Sequence, residues 1–550
     1  MIFKFKKLSA IWEIFLIFAV LSFSLLIVER YELYNSFSIL PGDAYDAVIM
    51  TTILEHWYHV FAGIENWSYV NYFFPYTKTL AQTDGYFLIG IAYSSFRFIG
   101  LDPFIASDLS GLVIKSVGFL GMFLLARKYL SFTFYWALLI ATLFTISNGI
   151  TMHSSRLQLA TVAFAPALFM LIWGAVKALW QSNLPQFRRK GALSGLFFGA
   201  WCLTCFYMAW FFLFFLATFS FLLLFLGGKQ KIIEVKDKIR ENYWSIIFVF
   251  ALSLLFLLPF LSIYLPKSLE VGVRYYSSVK EHTVPLSGIL QVGSDNFMWG
   301  TIYNSILSTI HYSPMGGEYY NTGIPFILFF LFICGCIFIV KTRAEANLID
   351  LTLVFTAIIT WAFTLNILNH SAWFFIYHLF PGAKALNVIS AYQFFLVFPV
   401  IIIAVRYLST QHLVAPILFL LCALMIAEEI NHPYLSLDRK VELNKLLLPH
   451  GLPPKTCKAF YVSGWAEQGS NEGDVMNMYP HNVTAMMIAE SIHVPTINGI
   501  ASFNPRDWNF SNPNNIDYDA RMLAYAKEHG VMGLCKLELN NKRWFPVTRD

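Results

Sequence analysis

Long apolar runs recur along most of this 550-residue chain, and they limit the possible folds more than any other feature. A helix that crosses a lipid bilayer needs about 20 consecutive, mostly apolar residues. Such runs lie at 10–28, 104–126, 132–149, 158–180, 192–208, 209–227, 244–263, 322–340, 349–367, 385–405 and 413–429. Only 13% of the residues are charged, against about 25% in soluble proteins. The sequence therefore predicts a mainly α, polytopic bundle of about 11 transmembrane helices.

The run at 86–100 is shorter and is interrupted by Ser94, Ser95 and Arg97. We interpret it as a helix that lies at the membrane interface. The alternative is a further span, which would change the predicted number of crossings.

Basic residues lie in alternate connections between the runs, and this pattern predicts an orientation. Cytoplasmic connections carry an excess of Lys and Arg. The basic residues concerned are Lys4, Lys6 and Lys7, then Arg127 and Lys128, Arg188 to Lys190, Lys229 to Arg240, Lys341 and Arg343, and Arg406. We predict a multi-pass protein of the cytoplasmic membrane with its N-terminus inside. Residues 1–430 would form the transmembrane domain, with large outer loops at 29–103 and 264–321, and residues 431–550 an extracytoplasmic domain.

Residues 431–550 have the polar composition of a soluble protein. The pattern predicts helices and strands that make a small α/β domain: helices at 436–448, 480–493 and 517–529, and strands at 456–463 and 531–539. Cys457 and Cys535 each fall in a predicted strand. One hypothesis is a disulfide between them, because an outer compartment is oxidising. The alternative is a pair of buried thiols.

The first outer loop opens with two acids, Asp43 and Asp46, at the start of a helix predicted to run to about Gly63. Apolar residues recur along that helix at helical spacing, namely Met50, Leu54, Trp57, Phe61 and Ile64. This spacing predicts an amphipathic helix that lies on the outer leaflet. From the residues alone, we interpret the two acids as a helix cap. Asp84, at the entrance of the next apolar segment, is either solvated or poised over a cavity.

The other side of the same helix carries Glu55, His56 and His59. Residues four apart share a helix face, so these side chains are possible metal ligands. The alternative is an ordinary hydrated helix face, and the sequence offers no strong third ligand group. No metal site is therefore assigned, although a divalent cation remains a possible cofactor.

Seven short motifs occur along the chain. They are Gly42-Asp43-Ala44-Tyr45-Asp46, Leu54-Glu55-His56, Phe73-Phe74-Pro75-Tyr76, Leu80-Ala81-Gln82-Thr83-Asp84, His153-Ser154-Ser155-Arg156-Leu157-Gln158, Pro381-Gly382-Ala383-Lys384-Ala385 and Pro495-Thr496-Ile497-Asn498-Gly499. Together they resemble the GT-C superfamily of polytopic membrane glycosyltransferases, and more closely a bacterial group of GT-C-like membrane proteins. The resemblance implies a GT-C fold and sugar transfer from a polyprenyl-phosphate donor to an envelope glycan, lipid or protein.

Such a reaction needs a carboxylate to accept the proton of the acceptor hydroxyl. It also needs cations to stabilise the departing phosphate. By resemblance, Asp43 is the favoured base, with Asp46 as a second acid that orients the acceptor or raises the pKa of its neighbour. The predicted substrate-binding residues are Glu55, His56, Asp84, His153, Arg156 and Lys384.

Arg156 is the preferred phosphate ligand, because its guanidinium suits bidentate contact. An interface anchor is the alternative role for it. Lys384, Arg274 and Lys280 are weaker candidates, and we expect Arg274 and Lys280 to be solvated charges.

The chain departs from the bacterial group at Asn387 and Ala391, where that group usually has Arg. If those arginines hold an anionic substrate, this chain lacks them. The alternative function is therefore a non-catalytic GT-C-like scaffold, or a lipid or polysaccharide transport component of envelope assembly. No motif for nucleic acid binding is present.

Overall fold

The structure is a computed structural model that describes residues 10–153, 156–310, 321–342, 347–432, 435–446, 452–464 and 473–547. In this part of the chain, seven helices are long and apolar enough to cross a membrane. They are Ala10–Val28, Pro103–Lys128, Phe134–Met152, Leu157–Trp180, Phe206–Glu241, Tyr243–Val271 and Ile389–Thr410, some of them with short breaks. The length and apolar character of these helices are those of a multi-pass membrane protein.

The other helices are shorter or more polar. The apolar ones are Phe87–Phe98, Phe326–Lys341, Leu348–Thr364 and Ala415–Glu428. The rest are Arg30–Tyr34, Asp46–Phe61, Leu184–Thr204, Tyr276–Glu281, Gly300–Thr309, Trp373–Leu379, Arg439–Leu446, Gly473–Ile492 and Tyr518–Glu528, with a 3₁₀ turn at Thr79–Gln82. All eleven predicted spans are thus helical over most of their length. Phe87–Phe98 has 12 residues, or about 18 Å, which favours a helix that does not span.

Cys205 separates two consecutive helices, Leu184–Thr204 and Phe206–Glu241, by adopting an extended backbone. The boundary between the predicted runs 192–208 and 209–227 therefore lies a few residues earlier in the structure. Helix Leu184–Thr204 then packs along helix Tyr243–Val271, and three glycines spaced four residues apart form the contact: Gly191, Gly195 and Gly199. Small residues at such spacing allow helix backbones to approach closely.

A side chain at Gly195 should therefore weaken the bundle. A Cβ atom there would lie 2.4 Å from Ser253 Oγ and 2.8 Å from Ser253 Cα, and overpacking of this kind costs about 1–3 kcal/mol. We expect Gly195→Ala to lower the melting temperature of the detergent-purified protein. Leu196→Ala, on the exposed side of the same helix, is the matched control. An equal effect of both substitutions would contradict the close-packing argument.

Among the described residues, eight short strands form three small sheets: Ile39–Pro41 with Ser436–Asp438; Val284–Pro285, Leu365–Ile367 and His370–Ser371; and Ala459–Ser463, Leu534–Glu538 and Arg543–Pro546. In the third sheet, the first two strands are parallel and the last is antiparallel to the second. A disulfide joins Cys457 to Cys535, whose Cα atoms are 5.6 Å apart. The C-terminal segment therefore combines a small sheet with helices, in the α/β arrangement that the sequence predicts.

The C-terminal segment (435–547) is packed on the connection at 29–103. Strands Ile39–Pro41 and Ser436–Asp438 pair antiparallel. The backbone amides of Phe73 and Phe74 donate to the carbonyls of Asn498 and Thr496, at 3.1 and 2.9 Å. Two of the short sequence motifs, separated by more than 400 residues, are therefore hydrogen-bonded to each other.

Helix Asp46–Phe61 differs from the predicted leaflet helix. Met50, Leu54 and Trp57 of its apolar side are buried inside the protein, whereas Phe61 at its end is exposed. Its polar side is buried as well, with Glu55, His56 and His59 each 5% exposed or less. The cause is helix Gly473–Ile492, which packs against it. The interpretation of this polar side as a hydrated face was therefore wrong.

Candidate active site

A cavity of about 730 Å³ opens at the end of the bundle where helix Phe206–Glu241 begins. Its walls come from eight separate stretches of chain. The polar lining residues are Asp46, Thr83, Asp84, Tyr86, His153, Arg156, Gln158, Tyr207, Arg274, Tyr275, Ser278, Thr322, Asn387, Ser502 and Asn504. Four of the predicted site residues are therefore brought together: Asp46, Asp84, His153 and Arg156. The volume falls in the range of small-molecule sites.

Asp46 and Arg156 form an ion pair at the cavity wall. Asp46 Oδ2 accepts hydrogen bonds from Arg156 Nε at 2.9 Å and from Nη2 at 2.5 Å. The Asp46 side chain is 33% exposed and that of Arg156 is 16% exposed. Both groups can therefore be reached from the cavity, and each neutralises the other in this arrangement.

Asp43 lies behind Asp46 and does not line the cavity. Its Oδ1 accepts hydrogen bonds from the backbone amides of Tyr45 and Ala47, at 3.0 and 3.2 Å. Of the two acids predicted to cap the helix, only Asp43 therefore bonds to its first amides, because Asp46 is the first helical residue and pairs with Arg156. Burial raises the pKa of Asp43, and the neighbouring Asp46 carboxylate raises it further. Asp43 is thus a partly buried carboxyl group whose proton affinity is increased.

Asp84 lies at the N-terminus of helix Phe206–Glu241. Its Oδ1 accepts a hydrogen bond from the Phe206 amide at 3.1 Å, and an acid at a helix N-terminus is favourably placed. Burial nevertheless raises the pKa of Asp84 to about 7. Of the two alternatives that the sequence left open, the structure places this acid at a cavity.

His153 is buried below the same cavity. Its Nδ1 is 3.0 Å from the carbonyl oxygen of Gly149, and its ring lies 4.5 Å from that of Phe394. The next two residues of its motif, Ser154 and Ser155, lie outside the described residues.

Three predicted site residues lie elsewhere. Glu55 accepts two hydrogen bonds from Arg97, at 2.8 and 2.7 Å, and His56 Nδ1 is 2.9 Å from Glu65 Oε2. Lys384 is exposed, with its Nζ 5.7 Å from the centre of the Tyr377 ring. None of the three lines the cavity.

Arg274 enters the site although a solvated charge was expected. Its guanidinium lies 4.4 Å from the centre of the Phe503 ring, and it donates to the carbonyl of Ser502. Phe503 and Ser502 are more than 200 residues further along the chain, so no local pattern could have indicated these contacts. The sequence placed Arg274 only in a long, polar connection.

Asn387 and Ala391 both line the cavity. The Asn387 Oδ1 accepts a hydrogen bond from Ser278 Oγ at 2.9 Å, and the backbone N–H of Asn387 donates to the Tyr207 hydroxyl at 2.5 Å. The two positions at which the sequence departs from the bacterial group that it resembles therefore face the same space as Arg156 and Arg274.

The cavity residues do not form a divalent-cation site in this arrangement. Asp46 is paired with Arg156, and one oxygen of Asp84 is held by the Phe206 amide. Within the described residues, the groups of His and acidic side chains close enough to share an ion lie away from the cavity. No chemical step is therefore assigned to a metal here.

The helices are those of a multi-pass membrane protein, and a likeness to a solved structure confirms the predicted GT-C-like fold class. The archaeal oligosaccharyltransferase AglB from Archaeoglobus fulgidus, solved with an inhibitory peptide and a dolichol-phosphate, matches with a TM-score of 0.50. The match covers 96% of this chain and 70% of that one, at 13% sequence identity. No family model and no curated protein matches the sequence. The likeness therefore establishes the fold.

The raised pKa of Asp84 predicts a pH dependence of stability. The pKa is about 7 in the folded chain, against an ordinary value of 3.8. The folded state therefore keeps a proton that the unfolded state has lost, and Asp84 makes the protein less stable as the pH rises from about 4 to about 7.

Asp84→Asn keeps an oxygen for the Phe206 amide and cannot titrate. We expect the melting temperature of the wild type, measured relative to this variant, to fall across that pH window and to level off above it. If the melting temperatures of the two proteins change with pH in the same way, the pKa of Asp84 is not raised in the folded state.

Proposed function

We propose that this protein transfers a sugar from a polyprenyl-phosphate-linked donor to an envelope glycan, lipid or protein at the outer face of the cytoplasmic membrane. The observation that carries the proposal is the cavity itself, in which the acids Asp46 and Asp84 lie near the cations Arg156 and Arg274. AglB, which has the same fold, holds a dolichol-phosphate and a peptide in its solved structure.

An outward orientation of the cavity is supported by helix Phe206–Glu241. Tyr207, at its beginning, lines the cavity, whereas the basic run from Lys229 to Arg240 follows a break in the helix at Gly228. A helix rises 1.5 Å per residue, so the unbroken part from Tyr207 to Gly227 is about 30 Å long. Because basic residues favour the cytoplasmic side, the cavity would face outward. The N-terminus would then be cytoplasmic, and the segment at 431–550 would form an extracytoplasmic domain over the 1–430 transmembrane domain.

Glycosyl transfer requires that the acceptor hydroxyl lose its proton as the sugar–phosphate bond breaks. Asp46 is the carboxylate on the cavity wall, and Asp43 stands behind it with a raised pKa. A base is most effective when its pKa lies nearer the working pH. We assign proton acceptance to this pair, with Asp46 in contact with the acceptor and Asp43 behind it.

The leaving phosphate would be held by Arg156 and Arg274. Hydrogen bonds from guanidinium to phosphate are strong because both partners are charged. Arg274 lies beside the position of Asn387: the Arg274 amide donates to the carbonyl of Lys384, and Ser278 donates to Asn387. Arg274 would therefore supply the positive charge that the related group places at 387 and 391.

The carboxylate pair is tested in cells. We expect deletion of the gene to remove one glycosylated product from the lipid and envelope glycans, as detected by mass spectrometry. Asp46→Asn and Asp43→Asn should each reduce that product, since loss of a general base typically costs about 10²–10⁴ in rate.

Asp438→Asn, which changes an exposed acid of the C-terminal segment, is the control for expression and charge. If the deletion leaves all glycans unchanged, sugar transfer is excluded and the scaffold or transport function is favoured. If only Asp43→Asn has an effect, Asp43 rather than Asp46 is the base.

The phosphate ligands are tested by binding. A polyprenyl phosphate titrated into the detergent-purified protein should bind Arg274→Gln about tenfold more weakly or worse than the wild type, because hydrogen bonds to charged groups contribute about 1.5–3 kcal/mol. Lys280→Gln removes a charge from the same segment without touching the cavity and should bind normally. Equal affinity of the wild type and Arg274→Gln would remove Arg274 from the site.

A further inference from the structure

A second group of functional side chains lies away from the cavity, where helix Asp46–Phe61 meets the C-terminal segment. Its members are His56, His59, Glu65, Glu490 and His493. Two come from the helix, one from the chain just after it, and two from the end of helix Gly473–Ile492 and the residue beyond. We refer to these five residues as the junction cluster.

The junction cluster contains two overlapping groups of ligand atoms, His59 with Glu65 and His493, and His56 with Glu65 and Glu490, and the atoms of each group lie within 4.8 Å of one another. His59 Nδ1 is 3.5 Å from Glu65 Oε1 and 3.6 Å from Glu490 Oε2, and His493 Nδ1 is 2.9 Å from Glu65 Oε1. Four ligands at about 2.0 Å from a tetrahedral ion would be about 3.3 Å apart. The two distances from His59 Nδ1 are close to that spacing, and the His493–Glu65 distance is that of a hydrogen bond that an ion would replace.

Two of these atoms have no hydrogen-bond partner, although both are buried. They are His59 Nδ1 and Glu490 Oε2, and the two side chains are 6% and 0% exposed. Their separation of 3.6 Å is too long for a hydrogen bond. A buried polar atom without a partner is costly, and two such atoms aimed at each other indicate that a further group belongs between them.

The surroundings hold these ligands in place. The Asn71 backbone amide donates to Glu490 Oε1 at 2.9 Å, and its side chain donates to Glu65 Oε1 at 2.8 Å. On the far side of the His59 ring, Glu55 Oε1 is 3.6 Å from Nε2 and is itself fixed by Arg97. A carboxylate behind a ligating His is typical of zinc sites, because it orients the ring.

We propose that the junction cluster is a binding site for a zinc-type divalent ion, with His59, His493, Glu65 and Glu490 as ligands. Two imidazoles and two carboxylates suit tetrahedral Zn²⁺, whereas Mg²⁺ and Ca²⁺ prefer oxygen ligands alone. Two carboxylates also balance the charge of the ion. His56 holds the second oxygen of Glu65 at 2.9 Å.

Four protein ligands leave no open position for a substrate, so the role of the ion would be structural. It would fasten the C-terminal segment to the helix that begins with Asp46. The His493 side chain is 41% exposed, which gives an ion a route from solvent. This inference does not rest on the proposed glycosyl transfer.

The test uses the full-length protein, purified in detergent with a tag that contains no histidine. After treatment with a chelator and incubation with ZnSO₄, metal is measured by mass spectrometry following desalting. We expect about one zinc per wild-type chain, and much less in His59→Gln and Glu490→Gln. His529→Gln is the matched control, because His529 lies in the same segment but pairs with Asp507 at 2.8 Å.

His493→Gln is a second variant that should still fold, because it removes a ligand that is partly exposed at the surface. Zinc should raise the melting temperature of the wild type and of His529→Gln, and should do so less for His493→Gln. Two results would overturn the proposal: no zinc in the wild type above the level of His59→Gln, or equal zinc-induced stabilisation of the wild type and His493→Gln. Either would mean that the cluster is a hydrogen-bonded network only.

Discussion

The polar side of helix Asp46–Phe61 is buried against the C-terminal segment, and the arrangement of the site depends on this contact. Removing a charged group from water costs much free energy unless the group is paired. Here Glu55 is paired with Arg97, and Glu65 contacts His56. Glu65 also contacts His493, and the Asn71 backbone amide donates to Glu490. These two contacts join the first loop to the C-terminal segment, and they help to fix one wall of the cavity relative to the other.

The same helix carries the candidate catalytic acids at its start. Asp43 satisfies two backbone amides there, while Asp46 faces Arg156. Any movement of the helix would therefore shift the carboxyl pair relative to the arginines. The packing that holds the C-terminal segment thus also sets the geometry on which the proposed chemistry depends.

Much of the fold could be predicted from the sequence, since apolar runs and helix signals are local. A break between the runs predicted at 192–208 and 209–227 occurs in the structure, as do strands within the predicted ranges 456–463 and 531–539. The site was predictable only in part, because Asp46 and Arg156 belong to recognisable motifs, whereas Arg274 depends on a contact with Phe503 far along the chain. The contact between Glu490 and His59 could not be predicted for the same reason, because no local pattern relates residues more than 400 positions apart.

Residues 500–504 form one wall of the cavity, about 450 residues after Asp46. At a synthesis rate of about 5–20 residues per second, some 25–90 seconds separate the emergence of these two walls. The transmembrane helices are therefore made and inserted before the site exists. The cavity of each new molecule would remain incomplete until residues 500–504 have folded onto the first loop. Folding of the C-terminal segment would therefore be the step that completes the proposed binding site.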